Sequence, residues 1–250
     1  MKKILVLLLV VLSSNVFAQE SVLLRINYTP GDSYTQITET SQNSGLQMAM
    51  KMSMTSDMKV TEVKDEITNT ESQITSIAMD VMQGGMSMSY DSNANEETLD
   101  QMGKMMQSQF KPMMDAKIMS STDKVGNVVD MSLEPMIPGM ENLTKNNAIA
   151  YPEEAVEIGS TWSATAEEGE VKTSITYTVK EISKEIVYLD VSGTISGVSE
   201  PSIGVSEGSI SGFAEIDIKS GAMTAMEMNT SVKVSNTVIK GSTKVTMTKN

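Results

Sequence analysis

The sequence predicts a mostly β protein: a large curved antiparallel sheet or incompletely closed barrel, with one main amphipathic helix (about 94–113) and a candidate short second helix covering its concave face. Three observations carry this expectation. Apolar and polar residues alternate with a period of two over most of the chain, the apolar positions are filled by β-branched residues and methionine, and glycine- and aspartate-containing turns separate the runs. A single stretch shifts its apolar spacing to three and four.

The chain opens with Lys2 and Lys3, an apolar run from Ile4 to Leu12, and the small-residue boundary Val16-Phe17-Ala18. Residues 1–18 thus read as a secretory signal peptide cut after Ala18, too short in its apolar part to act as an anchor. Residues 19–250 are expected to form a single β-rich domain. Val22, Leu24, Ile26 and Tyr28 alternate as a first strand until Pro30-Gly31, a second follows from Tyr34 to Gln42, and a methionine-rich strand runs over 47–63. Further strands are expected at 70–82, 86–90, 116–122, 126–132, 161–167, 171–182, 186–197, 209–218, 222–235 and 237–248. Asp123-Lys-Val-Gly126-Asn127 and Asp217-Ile-Lys-Ser-Gly221 have hairpin chemistry between such runs. The likeness of Gly31-Asp-Ser-Tyr34 to Gly159-Ser-Thr-Trp162 suggests two similar halves, about 20–150 and 151–250, each opening with a turn that feeds an aromatic into the core.

The exception is the region after Tyr90. Asn93 and Glu96 suit a capping box, and Leu99, Met102, Met106, Phe110 and Met113 then recur at helical spacing, with Pro112 kinking or ending the helix. The stretch 139–146, bracketed by Pro135, Pro138 and Pro152, is the candidate for the second helix.

Composition narrows function by exclusion. There is no cysteine, which removes disulfides, thiolate metal sites and the lipidated cysteine of a lipoprotein. The net charge is −13, and loss of Lys2 and Lys3 with the signal leaves 17 basic against 32 acidic residues, 17 − 32 = −15. Such a chain repels phosphate backbones, so nucleic acid is not an expected partner.

Catalytic motifs fail on chemistry. Gly204-Val-Ser206-Glu-Gly208 has the pattern of a nucleophile elbow, but the chain contains no histidine to act as its base. Ser56-Asp-Met-Lys59 and Ser121-Thr-Asp-Lys124 fall in a strand and a turn rather than on one turn of a helix. Asp91-Ser-Asn93-Ala-Asn95 begins like a calcium loop, but Glu96 and Met102 occupy the positions that need glycine and a bidentate glutamate. The pairs Glu96-Glu97, Glu153-Glu154 and Glu167-Glu168 read as solvated faces. The protein is therefore expected not to be an enzyme and to need no cofactor.

Methionine is the unusual signal. Of 22 methionines after Met1, 18 lie between residues 46 and 140. Met48, Met50, Met52 and Met54 share one strand face, Met86 and Met88 add to it, and Leu99, Met102, Met106, Phe110 and Met113 form the helix face expected to oppose it. Unbranched, polarizable thioethers can repack around varied apolar ligands, so these eleven residues are the candidate groove for a lipid-like molecule. A filled core uses the same residues equally well. Cu(I) binding is the alternative chemistry, although alternate strand residues stand about 6–7 Å apart rather than converging on one ion. An envelope interaction protein without a small ligand is the third class.

The order of elements, a signal peptide, long meandering strands, one inserted amphipathic helix, Asp-x-x-Gly hairpins and closing long strands, resembles the LolA-like lipoprotein-carrier architecture. That resemblance implies an open curved sheet covered by helices and an apolar ligand; the signal peptide, with no cysteine and no later long apolar stretch, leads to the expectation of an exported, soluble protein in the periplasm or outside the cell. Tyr151-Pro152 with Val156-Glu-Ile-Gly159-Ser-Thr-Trp162 is similar to a segment of uncharacterised exported β-rich proteins. The carriers use an arginine in their cavity, and Arg25, the sole arginine here, lies in no matching motif.

Overall fold

Period-two alternation becomes twelve strands: β1 (Ser33–Asn43), β2 (Met48–Lys64), β3 (Ile67–Gln83), β4 (Met86–Asp91), β5 (Lys117–Asp123), β6 (Val128–Glu134), β7 (Thr161–Glu168), β8 (Glu170–Ile182), β9 (Ile186–Val198), β10 (Val205–Asp217), β11 (Met223–Val234) and β12 (Thr237–Lys249). The computed structural model describes residues 21–45, 48–137, 149–168, 170–198, 205–234 and 237–250. The signal peptide, the candidate helix at 139–146 and Gly204 of the serine motif lie outside the described residues.

The strands make one antiparallel sheet in the order β6-β5-β3-β2-β1-β12-β11-β10-β9-β8-β7, with β4 also paired to β3, and it is not closed into a barrel. Residues 33–134 supply one side of this sheet and 161–249 the other, and the two meet where β1 pairs with β12. The two aromatic-feeding turns behave alike: Gly31 and Gly159 have positive φ, and Tyr34 and Trp162 are the second residues of β1 and β7. Tyr34 lies 5.2 Å from the Tyr28 ring, and Trp162 stacks on Tyr177 at 5.5 Å. Both hairpin aspartates act as expected. Asp123 accepts from the Val125 and Asn127 amides, and Asp217 from the Ser220 amide.

Residues 22–28 differ from expectation. They are extended but join no ladder beyond a single bridge, Val22 to Val156. The segment instead crosses the converging strand ends: the Ile26 amide donates to the Lys124 carbonyl in the β5–β6 turn and the Asn27 amide to the Ser220 carbonyl in the β10–β11 turn, each at 2.8 Å. These turns belong to strands five places apart in the sheet order, about 24 Å if the sheet were flat. Neighbouring residues touch both, so the sheet must curl at this end. Tyr151 makes a second strap: its amide donates to the Val125 carbonyl at 2.6 Å and its hydroxyl to the Gly221 carbonyl at 2.8 Å. Arg25 locks the straps together by donating to the Pro152 carbonyl and pairing with Glu153 at 3.1 Å.

The concave face holds the core. Leu24, Tyr151 and Val156 of the straps pack on Tyr177, Val179, Val187, Leu189 and Ala214 of the β8–β10 side. The opposite face carries exposed charges such as Lys51, Asp57, Lys59, Asp190, Lys240 and Lys244. That pattern is the reverse of a membrane-spanning barrel, whose outer band is apolar. No helix among the described residues is long and apolar enough to cross a membrane.

The helix also departs from expectation in detail. Asn95, not Asn93, caps a 3-10 turn (Glu96–Thr98), and Asp100 caps α1 (Gln101–Asp115) by accepting from the Gly103 amide at 2.7 Å. Pro112 lies inside α1 without ending it: its missing amide withdraws one hydrogen bond, that to the Ser108 carbonyl, and the helix continues to Asp115.

Two tests follow from this closure. A Cβ on Gly221, where φ is +67°, would stand 2.0 Å from the Arg25 carbonyl oxygen, so Gly221→Ala should destabilise by about 2 kcal/mol or more in denaturant titration. Asp32 pairs with Lys249 at 2.8 Å, and the Lys249 hydrogen bond, with the Thr29 amide helping, holds its carboxyl below the usual range. The stability from this pair is complete above the unfolded carboxylate pKa of about 4 and disappears as pH falls through the lowered folded value. Asp32→Asn should therefore flatten the acid limb of melting temperature against pH; an unchanged limb would deny the pair that role.

Candidate functional site

The methionine face forms as expected, and α1 does lie on it, but the space directly between them is filled. Met106 of α1 is 4% exposed and packs with Ile74, Ile77 and Tyr90 of β3 and β4. Met52, Met54, Met79 and Met88 of the sheet and Phe110, Met113 and Met114 of the helix surround this cluster. Tyr90 and Phe110 lie 5.5 Å apart.

The remaining candidates sit apart. Met48 and Met50 share the strand face of Met52 and are half-buried, nearer the start of β2 and outside the cluster. Leu99 precedes α1 and covers Gly103, whose Cβ would stand 3.1 Å from it. Met86 is 75% and Met102 43% exposed. Helical spacing puts Met102 on the face of Met106, but Met106 is buried in the cluster and Met102 is not among the residues packed against it.

Empty space lies beside the cluster rather than within it. A cavity of about 500 Å³ occupies the concave face between the end of α1 and the straps. Met54 and Met113 are the two sequence-selected residues that reach it. Its floor is formed by Ile26 and Tyr28 of the first strap with Ile149 and Tyr151 of the second. Met58 joins Met54 from β2, Met131, Met223 and Met247 bring methionine from three further strands, and Ile74, Ile118 and Leu133 complete the apolar wall.

The register explains why these meet. Met58 faces Ser72 on β3, Ser72 faces Ile118 on β5, and Ile118 faces Leu133 on β6. On the other side Gln36 lies between Ser56 and Met247. Met58 could have been found by extending the even-numbered parity of Met48–Met54; the contributions of β6 and β12 depend on strand order and register, and that of β11 on the curl of the sheet, none of which periodicity encodes.

The cavity is electrically quiet. None of its described lining residues is Asp, Glu, Lys or Arg. Burial pushes the phenol pKa values of Tyr28 and Tyr151 upward, with neighbouring tyrosines adding to the effect, so both remain neutral donors at ordinary pH. Arg25 is spent on the Pro152 and Glu153 carbonyls below the floor and does not line the cavity.

This division can be measured. Met106→Ala should cost about 2–4 kcal/mol in chemical unfolding, as removal of a buried side chain does, whereas Met102→Ala should stay within about 0.5 kcal/mol of wild type.

Comparison with known proteins gives fold more than function. Residues 139–250 match DUF6263, a family of unknown function. No protein of curated function matches the chain. A lipovitellin chain, from a structure on lipid–protein interactions in lipovitellin, aligns over 89% of this chain and 25% of its own length, at 12% identity and a TM-score of 0.55. The present chain thus spans about a quarter of that protein. The translocator domain of the autotransporter NalP from Neisseria meningitidis covers 90% of both chains at 8% identity, but its TM-score is 0.34. An outer membrane channel from Pseudomonas putida F1 covers 88% of this chain and 97% of its own at 6% identity, with a TM-score of 0.28. The likeness to lipovitellin is one of fold, and it does not single out the lipoprotein-carrier architecture that the order of elements resembles.

Proposed function

We propose that this is an exported, non-catalytic protein that binds or carries an apolar molecule in the cavity beside α1. The observation that carries this reading is the cavity of about 500 Å³ itself, walled by methionine and isoleucine and free of charge among its described lining residues. A dry 150 Å³ cavity accepts benzene, about 25 Å³ per heavy atom, so this space suits a ligand of roughly 20 heavy atoms.

Methionines from β2, β6, β11, β12 and α1 make the wall deformable, which favours acceptance of flexible chains over one rigid shape. The lipovitellin likeness supports a sheet of this kind as a surface on which lipids can be held, without transferring the function of the much longer protein. The amino-terminal signal pattern supports export.

An uncharged environment-sensitive dye, N-phenyl-1-naphthylamine, should bind the purified protein with enhanced emission. Ile118→Trp, which puts bulk into existing space, should weaken binding about tenfold or more without lowering the melting temperature. Absence of dye binding, together with a native mass spectrum that shows the bare chain, would overturn the reading.

A further inference from the structure

The cavity is not uniformly apolar. Thr68, Thr70 and Ser72 on β3 project into it side by side with Ser120 and Thr122 on β5, since Thr70 pairs with Ser120 and Thr68 with Thr122 across the ladder. Thr68 and Thr70 are 3% and 7% exposed. Their hydroxyls find no hydrogen-bond partner among the described residues, and neither do those of Ser72, Ser120 and Thr122. These oxygens open onto the cavity, so a wall of five hydroxyls there bonds to whatever fills that space, water or the polar group of a ligand.

The hydroxyls occupy the strap end of the cavity, where β3 begins and β5 ends. Ile74, Ile118 and Met113 occupy the helix end, because the same strands run toward α1. A ligand that suits both ends has one polar group and one apolar body. The charge of that polar group is also constrained. With no cation among the described lining residues and a chain of net charge −13, a carboxylate or phosphate would enter without a counter-charge.

We propose that the cavity selects an uncharged amphiphile, with a hydroxyl- or ester-bearing head bonded to the Thr68–Thr70–Ser72 and Ser120–Thr122 wall and its chain directed toward Met113. This rests on the cavity being a ligand site, and hydroxyls serve because they can both donate to an ester carbonyl and accept from an alcohol.

Displacement of N-phenyl-1-naphthylamine by tetradecanol and by tetradecanoate at pH 8 tests head selection with the tail held constant. Tetradecanol should displace the dye at a concentration about tenfold or more below that of tetradecanoate. Thr70→Val combined with Ser120→Ala should abolish that preference, each displacement being referred to the variant's own dye affinity, without lowering the melting temperature. Equal displacement by the two compounds, failure of both while the dye binds, or a preference that survives the double substitution would each overturn head selection and leave the cavity reading intact. Failure of the dye itself to bind would remove the cavity reading instead.

Discussion

Every distinctive feature of this fold depends on two backbone straps that cross one end of an unclosed sheet. An open ribbon of long antiparallel strands twists but has no inherent reason to enclose space, since its edge strands do not pair. Here the amides of Ile26 and Asn27, and the amide and hydroxyl of Tyr151, bind the β5–β6 turn to the β10–β11 turn. Those turns must meet although five strand spacings separate them in the sheet. Curvature follows from satisfying these buried donors rather than from barrel closure, and Arg25 makes the two straps one unit.

The straps also decide which part of the concavity is full. On the β8–β10 side they carry Leu24, Val156 and the Tyr151 ring, large enough to fill the curve against Tyr177 and Leu189. On the β2–β5 side α1 fills the curve with Met106, Phe110 and Met114. Between these two fillings the straps present Ile26 and Tyr28, and the turns they cross present Gly126 and Gly221, glycines because strap backbone passes too close for a Cβ. The cavity is the interval that neither filling reaches.

This accounts for what could be read in the sequence. Strand period, both aspartate hairpins, the helix and its contact with the methionine face are local signals, and each is present. Residues 22–28 carry the period of a strand without joining a ladder, because an extended strap that buries alternate residues has the same period; only the partners of its amides distinguish the two. Asn93 yielded its capping role to Asn95 and Asp100 because a 3-10 turn intervenes. Met54 and Met113 reach the cavity as expected, while Met131 and Met247 arrive through strand order and register and Met223 through the curl of the sheet, none of which the local period encodes.

The boundary between filled cluster and cavity is drawn within single strands, most clearly on β3. Thr68, Thr70, Ser72 and Ile74 face inward at even positions, while Ile77, which pairs with Met54, and Met79, which pairs with Met52, face inward at odd ones. The register shifts between them, where Ser76 pairs with Thr55 but Ile74 with Ser56, so Thr75 is the extra residue of a bulge. With no bulge, the inward row would continue through Ser76 and Ala78, turning Ile77 and Met79 out to solvent and leaving α1 nothing to pack against. One inserted residue therefore lets the same strand give hydroxyls to the space above the straps and apolar side chains to the helix. A continuous period-two strand could have built either the cluster or the hydroxyl wall from this sequence, but not both on one face.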